Sequence, residues 1–178
     1  QRQRCIGDSA YQRFINKNGG SRNAYTAFDE TNYFFDVNSN VLEPTLDQFA
    51  QFFIAPLFDA QYVEREKHAV HSEYQTKIKD DNRLKNEVLK AITNPEHAFS
   101  QFSVGNMDTL ADRKNQLVRD DLLAFYQQHY SANRMSLVVL GQQSVDELRR
   151  LVSEKFASVK NNKRPVPRHE QPLFKKHQ

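Results

Sequence analysis

The chain has 178 residues, of which 38% are hydrophobic and 26% are charged, and its formal net charge is +3. That length suffices for one globular domain with a core, and so small a net charge gives little reason to expect a nucleic-acid partner. Cys5 is the only cysteine, which excludes a disulfide within the chain and leaves the redox compartment open. No run approaches about 18 apolar residues, so we expect no membrane span.

The start of the chain predicts a helix followed by a β-hairpin. Residues 10–18 have the apolar spacing of a helix. The glycine pair at 19–20 ends that helix, because glycine tolerates the left-handed backbone found at helix ends. Two stretches rich in Tyr, Thr and Phe, 23–28 and 31–37, predict antiparallel strands joined by a turn at 29–30.

A second helix is predicted after the polar run at 38–40, which offers capping residues. Pro44 fits the first turn of this helix, and Pro56 ends it. Its apolar face consists of Leu46, Phe49, Ala50 and Phe53. We interpret this face as core rather than as a cofactor pocket.

The longest predicted element is one helix over 59–92, around which the rest of the chain is organised. Asp59 fits the N-cap position, and apolar residues recur at helical spacing along the stretch. Glu66 and Glu73 fall in the same apolar stripe, two turns and roughly 20° apart on the helix surface, so we expect both to face inward. A carboxylate on a buried face must be paired, hydrogen-bonded or bound to a metal.

Spacing alone leaves two interpretations of this acid pair open. Lys77 follows Glu73 by four residues, and an ion pair at that spacing contributes roughly 0.2–0.5 kcal/mol to a helix. The other interpretation is a metal or catalytic site, because functional sites are where acids are placed in apolar surroundings.

The rest of the chain alternates irregular and regular segments. Residues 94–112 contain Pro95, Gly105, Asn106 and several small polar residues, and they predict an irregular loop. The pattern at 118–130 predicts a helix, and the apolar run at 135–140 predicts a central strand. Ser144 and Glu147 form a capping-box pattern before a last helix. Together these elements predict an α+β domain with a mostly antiparallel sheet and helices packed on one face.

Composition divides the chain into two parts. Residues 1–160 carry the predicted elements, and residues 161–178 are a basic, proline-containing run that we interpret as a linker. This run is the only support for a nucleic-acid or anionic-surface partner, and a charge bias confined to a tail is weak support. Neither end shows a structural pattern, so we expect the chain to be part of a larger protein.

Five strings of the sequence carry a family resemblance. They read GGSRNAYTAFDETNYFFDV, LDQFAQFFIAPLFD, EREKHAVHSEY, NPEHAFSQFSVGNMDTL and HYSANRMSLVVLG. In this order and spacing, between roughly Tyr11 and Val159, they resemble the insulinase/pitrilysin family of zinc metallopeptidases, the inverzincins. The resemblance implies an N-terminally truncated active-site domain of the LuxS/metallopeptidase-like fold, most similar to the insulin-degrading and pitrilysin branch.

The resemblance also implies a zinc site and a peptide-binding strand. In this family H-x-x-E-H supplies two histidine ligands and the general base. The third ligand is a Glu in the string that here reads A-V-H-S-E, which is Glu73, and a supporting acid one heptad earlier is Glu66. Asn23 and Ala24 match the strand that pairs with the substrate backbone, a binding mode that suits unstructured peptides.

The chain departs from the family because it contains no H-x-x-E-H. In the family the motif would lie shortly before Tyr11, where this sequence reads QRQRCIGDS. His68 and His71 lie on the predicted long helix, but we interpret both as solvated or rim side chains rather than ligands. With two ligands and the general base missing, we expect the chain by itself to bind zinc poorly and to hydrolyse nothing.

The favoured function is therefore that of a fragment of a zinc metalloendopeptidase, and the alternative is a non-catalytic structural or partner subunit of the same fold. The expected partners are peptide substrates and the remaining domains of the full-length protein, with zinc as the cofactor of the intact protein. We expect no nucleic-acid or membrane partner, but a dimer through the surface that truncation exposes. The compartment is periplasmic if the protein is bacterial and pitrilysin-like, and cytosolic otherwise.

Overall fold

The computed structural model describes residues 8–27, 30–100, 104–166 and 171–175. In these ranges the fold is α+β, with the elements α1 (Asp8–Lys17), β1 (Ser21–Thr26), β2 (Thr31–Asp36), α2 (Leu42–Ile54), α3 (Ala60–Lys77), α4 (Asp81–Ile92), α5 (Val118–His129) and α6 (Val145–Phe156). Contacts divide the chain into two compact units. Unit 1 is Gln1–Leu57 with Phe125–Arg164, and unit 2 is Phe58–Ala124 with Pro165–Gln178. No helix in the described ranges is both long and apolar enough to cross a membrane.

The predicted β-hairpin is confirmed in unit 1. β1 and β2 pair in antiparallel register, with Asn23 opposite Phe34 and Ala24 opposite Tyr33. Aromatic and β-branched side chains favour these strands because they fit a pleated surface. The predicted turn at 29–30 falls partly outside the described residues.

Helices cover one face of the hairpin, as predicted. Tyr11 and Ile15 of α1 and Phe49 of α2 form a buried cluster, against which Phe156 of α6 also packs. Phe35 of β2 meets Phe49 edge to face, with the ring centroids 5.0 Å apart. Buried aromatic rings therefore hold α1, α2 and α6 on the hairpin, since such rings bury large apolar areas and favour edge-to-face contacts.

Tyr11 combines a well-packed ring with an unpaired hydroxyl. The residue is 2% exposed, and its hydroxyl has no hydrogen-bond partner among the described residues. Burial raises the pKa of Tyr11 above its ordinary value of 10.0, an effect that the Arg22 guanidinium partly offsets. Because an unpaired buried hydroxyl costs about 1–3 kcal/mol, we expect Tyr11→Phe to leave the free energy of unfolding unchanged or to raise it. Urea denaturation measures this change.

The control for this variant is Tyr25→Phe, because the Tyr25 hydroxyl is exposed and bonded to Glu30. We expect that control to change the free energy of unfolding by no more than about 0.5 kcal/mol. The unfolded chain releases the Tyr11 proton from about pH 10 while the folded chain retains it, so stability falls as pH rises above that value. Tyr11→Phe should lessen this alkaline loss, and a destabilisation above about 1 kcal/mol at neutral pH would show that the hydroxyl is paired.

The prediction of a single helix over 59–92 is wrong, because the structure has two helices there, α3 and α4. Asp59 is the N-cap of α3, as predicted, and its carboxylate accepts a hydrogen bond from the Gln61 backbone amide at 2.9 Å. Asp80 caps α4 in the same manner, accepting from the Arg83 amide at 2.9 Å. A capping aspartate favours a new helix start over a continued helix, and the apolar spacing that runs through it conceals the break.

The prediction of a strand at 135–140 is also wrong. No residue of this run is assigned to a strand, and the sheet formed by the described residues contains only β1 and β2. Val138 and Leu140 are 90% and 93% exposed. An apolar run becomes a central strand only when neighbouring strands pair with it, and composition does not supply those neighbours.

The other predictions of local structure are confirmed within the described residues. Helices α1, α2 and α5 form where helices are predicted, and the irregular stretch 94–112 holds one short helical turn, Ala98–Ser100. The capping box of α6 is present, with the Ser144 hydroxyl accepting from the Glu147 amide and the Glu147 carboxylate accepting from the Ser144 amide at 2.9 Å. Hydrogen bonds from Ser144 lower the pKa of Glu147.

The division of the chain at residue 160 stays a prediction. Within unit 2, Asn94 donates its backbone amide to the Leu173 carbonyl at 2.8 Å. Its side-chain amide donates to the Pro172 carbonyl at 3.1 Å. This part of the predicted linker is thus hydrogen-bonded to a buried asparagine.

Candidate functional site

Helix α3 carries both acids that the sequence singles out. Its buried residues are Val63 and Lys67, whereas Glu66 and Glu73 are exposed. The prediction that the two acids face inward is therefore wrong. Helical spacing determines which residues share a face, but it does not determine which face other elements cover.

The two carboxylates have different surroundings. The Glu66 side chain is 58% exposed, and its Oε1 lies 3.3 Å from Nη2 of Arg65. Glu73 is exposed, and the described part of the chain contains neither a hydrogen-bond partner for it nor an ion pair with Lys77. Its carboxylate is therefore open to a ligand, although its role as a zinc ligand stays a prediction.

A buried lysine that the sequence analysis misses holds α3 within unit 2. Lys67 Nζ lies 3.0 Å from Glu64 Oε1 and 4.0 Å from Asp112 Oδ1. Asp112 Oδ1 also accepts a hydrogen bond from the Val118 backbone amide, at the start of α5, at 2.9 Å. The two carboxylates compensate the buried charge. The signal for this contact is the helical spacing, because Lys67 follows Val63 by four residues and so lies in the same stripe.

The histidines of α3 do not complete a metal site. His68 is exposed, and His71 Nδ1 accepts a hydrogen bond from the Met107 backbone amide at 3.3 Å. In the described ranges, no group of three His, Cys, Asp or Glu side chains could hold a metal ion. A catalytic zinc site takes three protein ligands, and the sequence predicts one of them, Glu73, on α3. The described residues therefore do not fit a complete zinc site.

Strand β1 presents the predicted peptide-binding residues at an open sheet edge. Among the described strands β1 pairs only with β2, so the groups on its other edge are free of strand partners. Asn23 and Ala24 are exposed. Asn23 Oδ1 accepts a hydrogen bond from the Ala24 backbone amide at 2.8 Å, so this side chain caps one donor of the strand.

Two family profiles match the chain. The profile described as "Insulinase (Peptidase family M16)" matches residues 6–105. The profile described as "Peptidase M16 inactive domain" matches residues 116–178. The first match alone covers more than half of the chain, and it includes α3 and the hairpin.

Several known proteins are similar to this chain. Insulin-degrading enzyme of Mus musculus is 42% identical over 174 residues, which cover 96% of this chain and 17% of that protein. The peroxisomal insulin-degrading enzyme-like 1 of Arabidopsis thaliana is 44% identical over 164 residues, which cover 90% of this chain and 17% of that protein. A Schizosaccharomyces pombe relative whose name contains the words zinc protease is 38% identical over 170 residues. These residues cover 94% of this chain and 18% of that protein.

The similarity extends to the fold. The crystal structure of pitrilysin matches with a TM-score of 0.89 and 31% sequence identity, covering 95% of this chain and 18% of that chain. The chain thus spans less than a fifth of the length of these relatives. On the profile, the sequence matches and the fold together, the chain belongs to the insulinase family of peptidases, peptidase family M16.

Proposed function

We propose that this chain is one part of a zinc metalloendopeptidase that hydrolyses peptide bonds in unstructured peptides. The observation that carries the proposal is the setting of Glu73 on α3. Glu73 lies in the string that resembles the zinc-ligand segment of the family, and its carboxylate is exposed and unpaired among the described residues. An open carboxylate suits a metal ligand whose companion ligands come from outside the described residues.

Glu66 has a supporting role in this proposal. It lies two turns before Glu73 on the same face of α3, where it can hydrogen-bond to groups around the metal without coordinating it. Zinc supplies Lewis-acid chemistry when it is bound in peptidases of this kind. Because the described residues provide one proposed ligand of three, we expect them to carry no hydrolytic step by themselves.

The open edge of β1 is the proposed peptide-binding element. An extended peptide adds to such an edge through main-chain hydrogen bonds, which place little demand on its sequence. Addition at Ala24 requires the Asn23 side chain to release the Ala24 amide, since the two are hydrogen-bonded. Asn23 can then bond the incoming peptide, because its amide group both donates and accepts.

One prediction concerns the isolated chain. With a single ligand, it should bind zinc too weakly to retain it through equilibrium dialysis, and it should cleave no peptide. Zinc content after dialysis and cleavage of insulin measure the two properties. Stoichiometric, tightly held zinc in the purified chain, or cleavage that a chelator abolishes, would refute the prediction.

The proposal itself is tested in a protein that supplies the remaining groups. In this protein, called the chimera, our chain replaces the matched segment of Mus musculus insulin-degrading enzyme, with which it is 42% identical. We expect the chimera to contain zinc and to cleave insulin. A chimera that unfolds cooperatively, and is therefore folded, but cleaves no insulin would overturn the proposal.

A second candidate function is that of a non-catalytic partner subunit of the same fold. One observation favours it: residues 116–178 match a profile described as an inactive domain. Under this candidate, the chimera folds without cleaving insulin, and Glu73→Gln leaves its zinc content unchanged. The same experiment therefore separates the two functions.

A further inference from the structure

Three tyrosines of unit 1 connect the hairpin to α2 and to the end of α5. The hydroxyl oxygens of Tyr33 and Tyr130 are 2.5 Å apart, although the residues are 97 positions apart in the sequence. The Tyr126 hydroxyl donates to the Phe53 carbonyl at 2.7 Å, and the ring centroids of Tyr126 and Tyr130 are 5.1 Å apart. The Tyr33 ring meets the Phe53 ring edge to face at 5.6 Å. These four residues therefore form one connected set.

The hydroxyl pair is suited to a lasting hydrogen bond. Burial raises the pKa of Tyr130, and the hydrogen bond with Tyr33 raises it further. The Tyr130 hydroxyl therefore keeps its proton at neutral pH and remains able to donate. A hydrogen bond of this kind holds two backbone segments together without a buried charge.

The position of Tyr33 in the sheet gives this bond a consequence for β1. Tyr33 lies directly opposite Ala24, whereas Phe35, which packs against the aromatic core, lies opposite Arg22. Most side chains of both strands are exposed, so few of them attach the hairpin to the helices. Tyr33 is itself 37% exposed, but it attaches the hairpin at the level of Ala24 through its contacts with Phe53 and Tyr130.

We propose that Tyr33 and Tyr130 are positioning residues that hold the open edge of β1 in place for an extended peptide. This inference rests on the proposed function, which assigns peptide binding to β1. The two tyrosines act through the pairing of Tyr33 with Ala24 and do not touch the peptide. Strand addition requires donors and acceptors to be aligned along the edge, so a displaced edge binds the peptide more weakly.

The test compares Tyr33→Phe, Tyr130→Phe and the double variant in the chimera. Each substitution removes one hydroxyl and keeps the ring. We expect KM for insulin to rise about three- to tenfold, as for one lost hydrogen bond, with kcat within about twofold and zinc content unchanged. The double variant should match the single variants, because each single substitution already removes the shared bond.

Tyr62→Phe is the matched control. It removes one hydroxyl from a 38% exposed tyrosine of α3, outside the hairpin. We expect KM of this control to stay within about twofold of the unsubstituted chimera. If KM for Tyr33→Phe and Tyr130→Phe also stays within about twofold of the value for the unsubstituted chimera, the inference is overturned. A fall in kcat at constant KM would also overturn it.

A second measurement separates failure of this inference from failure of the proposed function. If the unsubstituted chimera cleaves no insulin, the proposed function fails, and hydrogen–deuterium exchange in the 178-residue chain then decides the role of the tyrosine pair. Tyr33→Phe should speed amide exchange in β1 by about threefold or more relative to Tyr62→Phe, with exchange in α6 unchanged. Equal exchange rates in β1 would overturn the inference independently of catalysis.

Discussion

Replacing Glu73 with glutamine in the chimera is expected to remove most of the bound zinc and to lower kcat/KM for insulin by at least about 100-fold. That loss exceeds the roughly 10–100-fold typical of residues that only support a metal ligand. Glutamine keeps the size of the side chain but removes the charge that a zinc ligand contributes. Because Glu73 is exposed and has no partner among the described residues, the substitution should leave the free energy of unfolding almost unchanged. Metal analysis, insulin cleavage and urea denaturation measure the three quantities.

Two variants serve as controls for Glu73→Gln. Glu66→Gln should lower cleavage by about 10–100-fold, as expected for a supporting acid. Glu87→Gln on α4 removes another exposed carboxylate, whose Oε1 lies 3.5 Å from Lys90 Nζ. This variant should keep the zinc content and the cleavage rate of the unsubstituted chimera. If Glu73→Gln behaves like Glu87→Gln, then Glu73 is not a ligand.

Gly20→Ala is expected to destabilise the chain by about 3 kcal/mol, near the upper end of the range for single substitutions. A Cβ at position 20 would lie 1.9 Å from the backbone carbonyl oxygen of Asp36, although real Cβ atoms essentially never approach within 3.0 Å. β1 begins at the next residue, Ser21, which pairs with Asp36. The start of β1 must therefore move away from the end of β2. For a chain of this length we expect the Tm to fall by about 6–12 °C.

Gly141→Ala is the matched control, because its Cβ would meet the flexible end of the Gln143 side chain at 2.5 Å rather than backbone. The buried Gln143 Oε1 and the Leu42 Cδ2, which would lie 3.0 Å from the Cβ, must both shift, but both are side-chain ends rather than backbone. Alanine also reduces the conformational entropy of the unfolded chain. We expect this variant to lose less than about 1 kcal/mol of stability. An equal loss in the two variants would show that the close approach of Gly20 to β2 is not the cause.

The local elements could be predicted from the sequence because their signals lie within a few residues of each other. Asp59 caps α3, and Ser144 and Glu147 form their capping box, as their spacing predicts. The break between α3 and α4 has an equally local signal in Asp80. It is missed because the apolar spacing continues across it and a single periodic pattern favours one helix.

The other errors concern neighbours that are distant in sequence. The spacing of Glu66 and Glu73 places them on one face of α3, but their exposure depends on what packs there. The run at 135–140 has the composition of a central strand and has no strand partner in the described ranges. The bond between Tyr33 and Tyr130 joins residues 97 positions apart, and no pattern in one sequence indicates such a pair. Roles for Glu73, Glu66, Asn23 and Ala24 come from the family resemblance and stay predictions.

The central claim is that Glu73 coordinates zinc when the rest of the site is present. The most direct measurement is a crystal structure of the chimera with anomalous scattering recorded at the zinc absorption edge. We predict a Glu73 carboxylate oxygen about 2.0–2.2 Å from the zinc ion, the usual distance for this ligand type. A zinc ion held entirely by other side chains, with the Glu73 carboxylate out of bonding range, would contradict the claim.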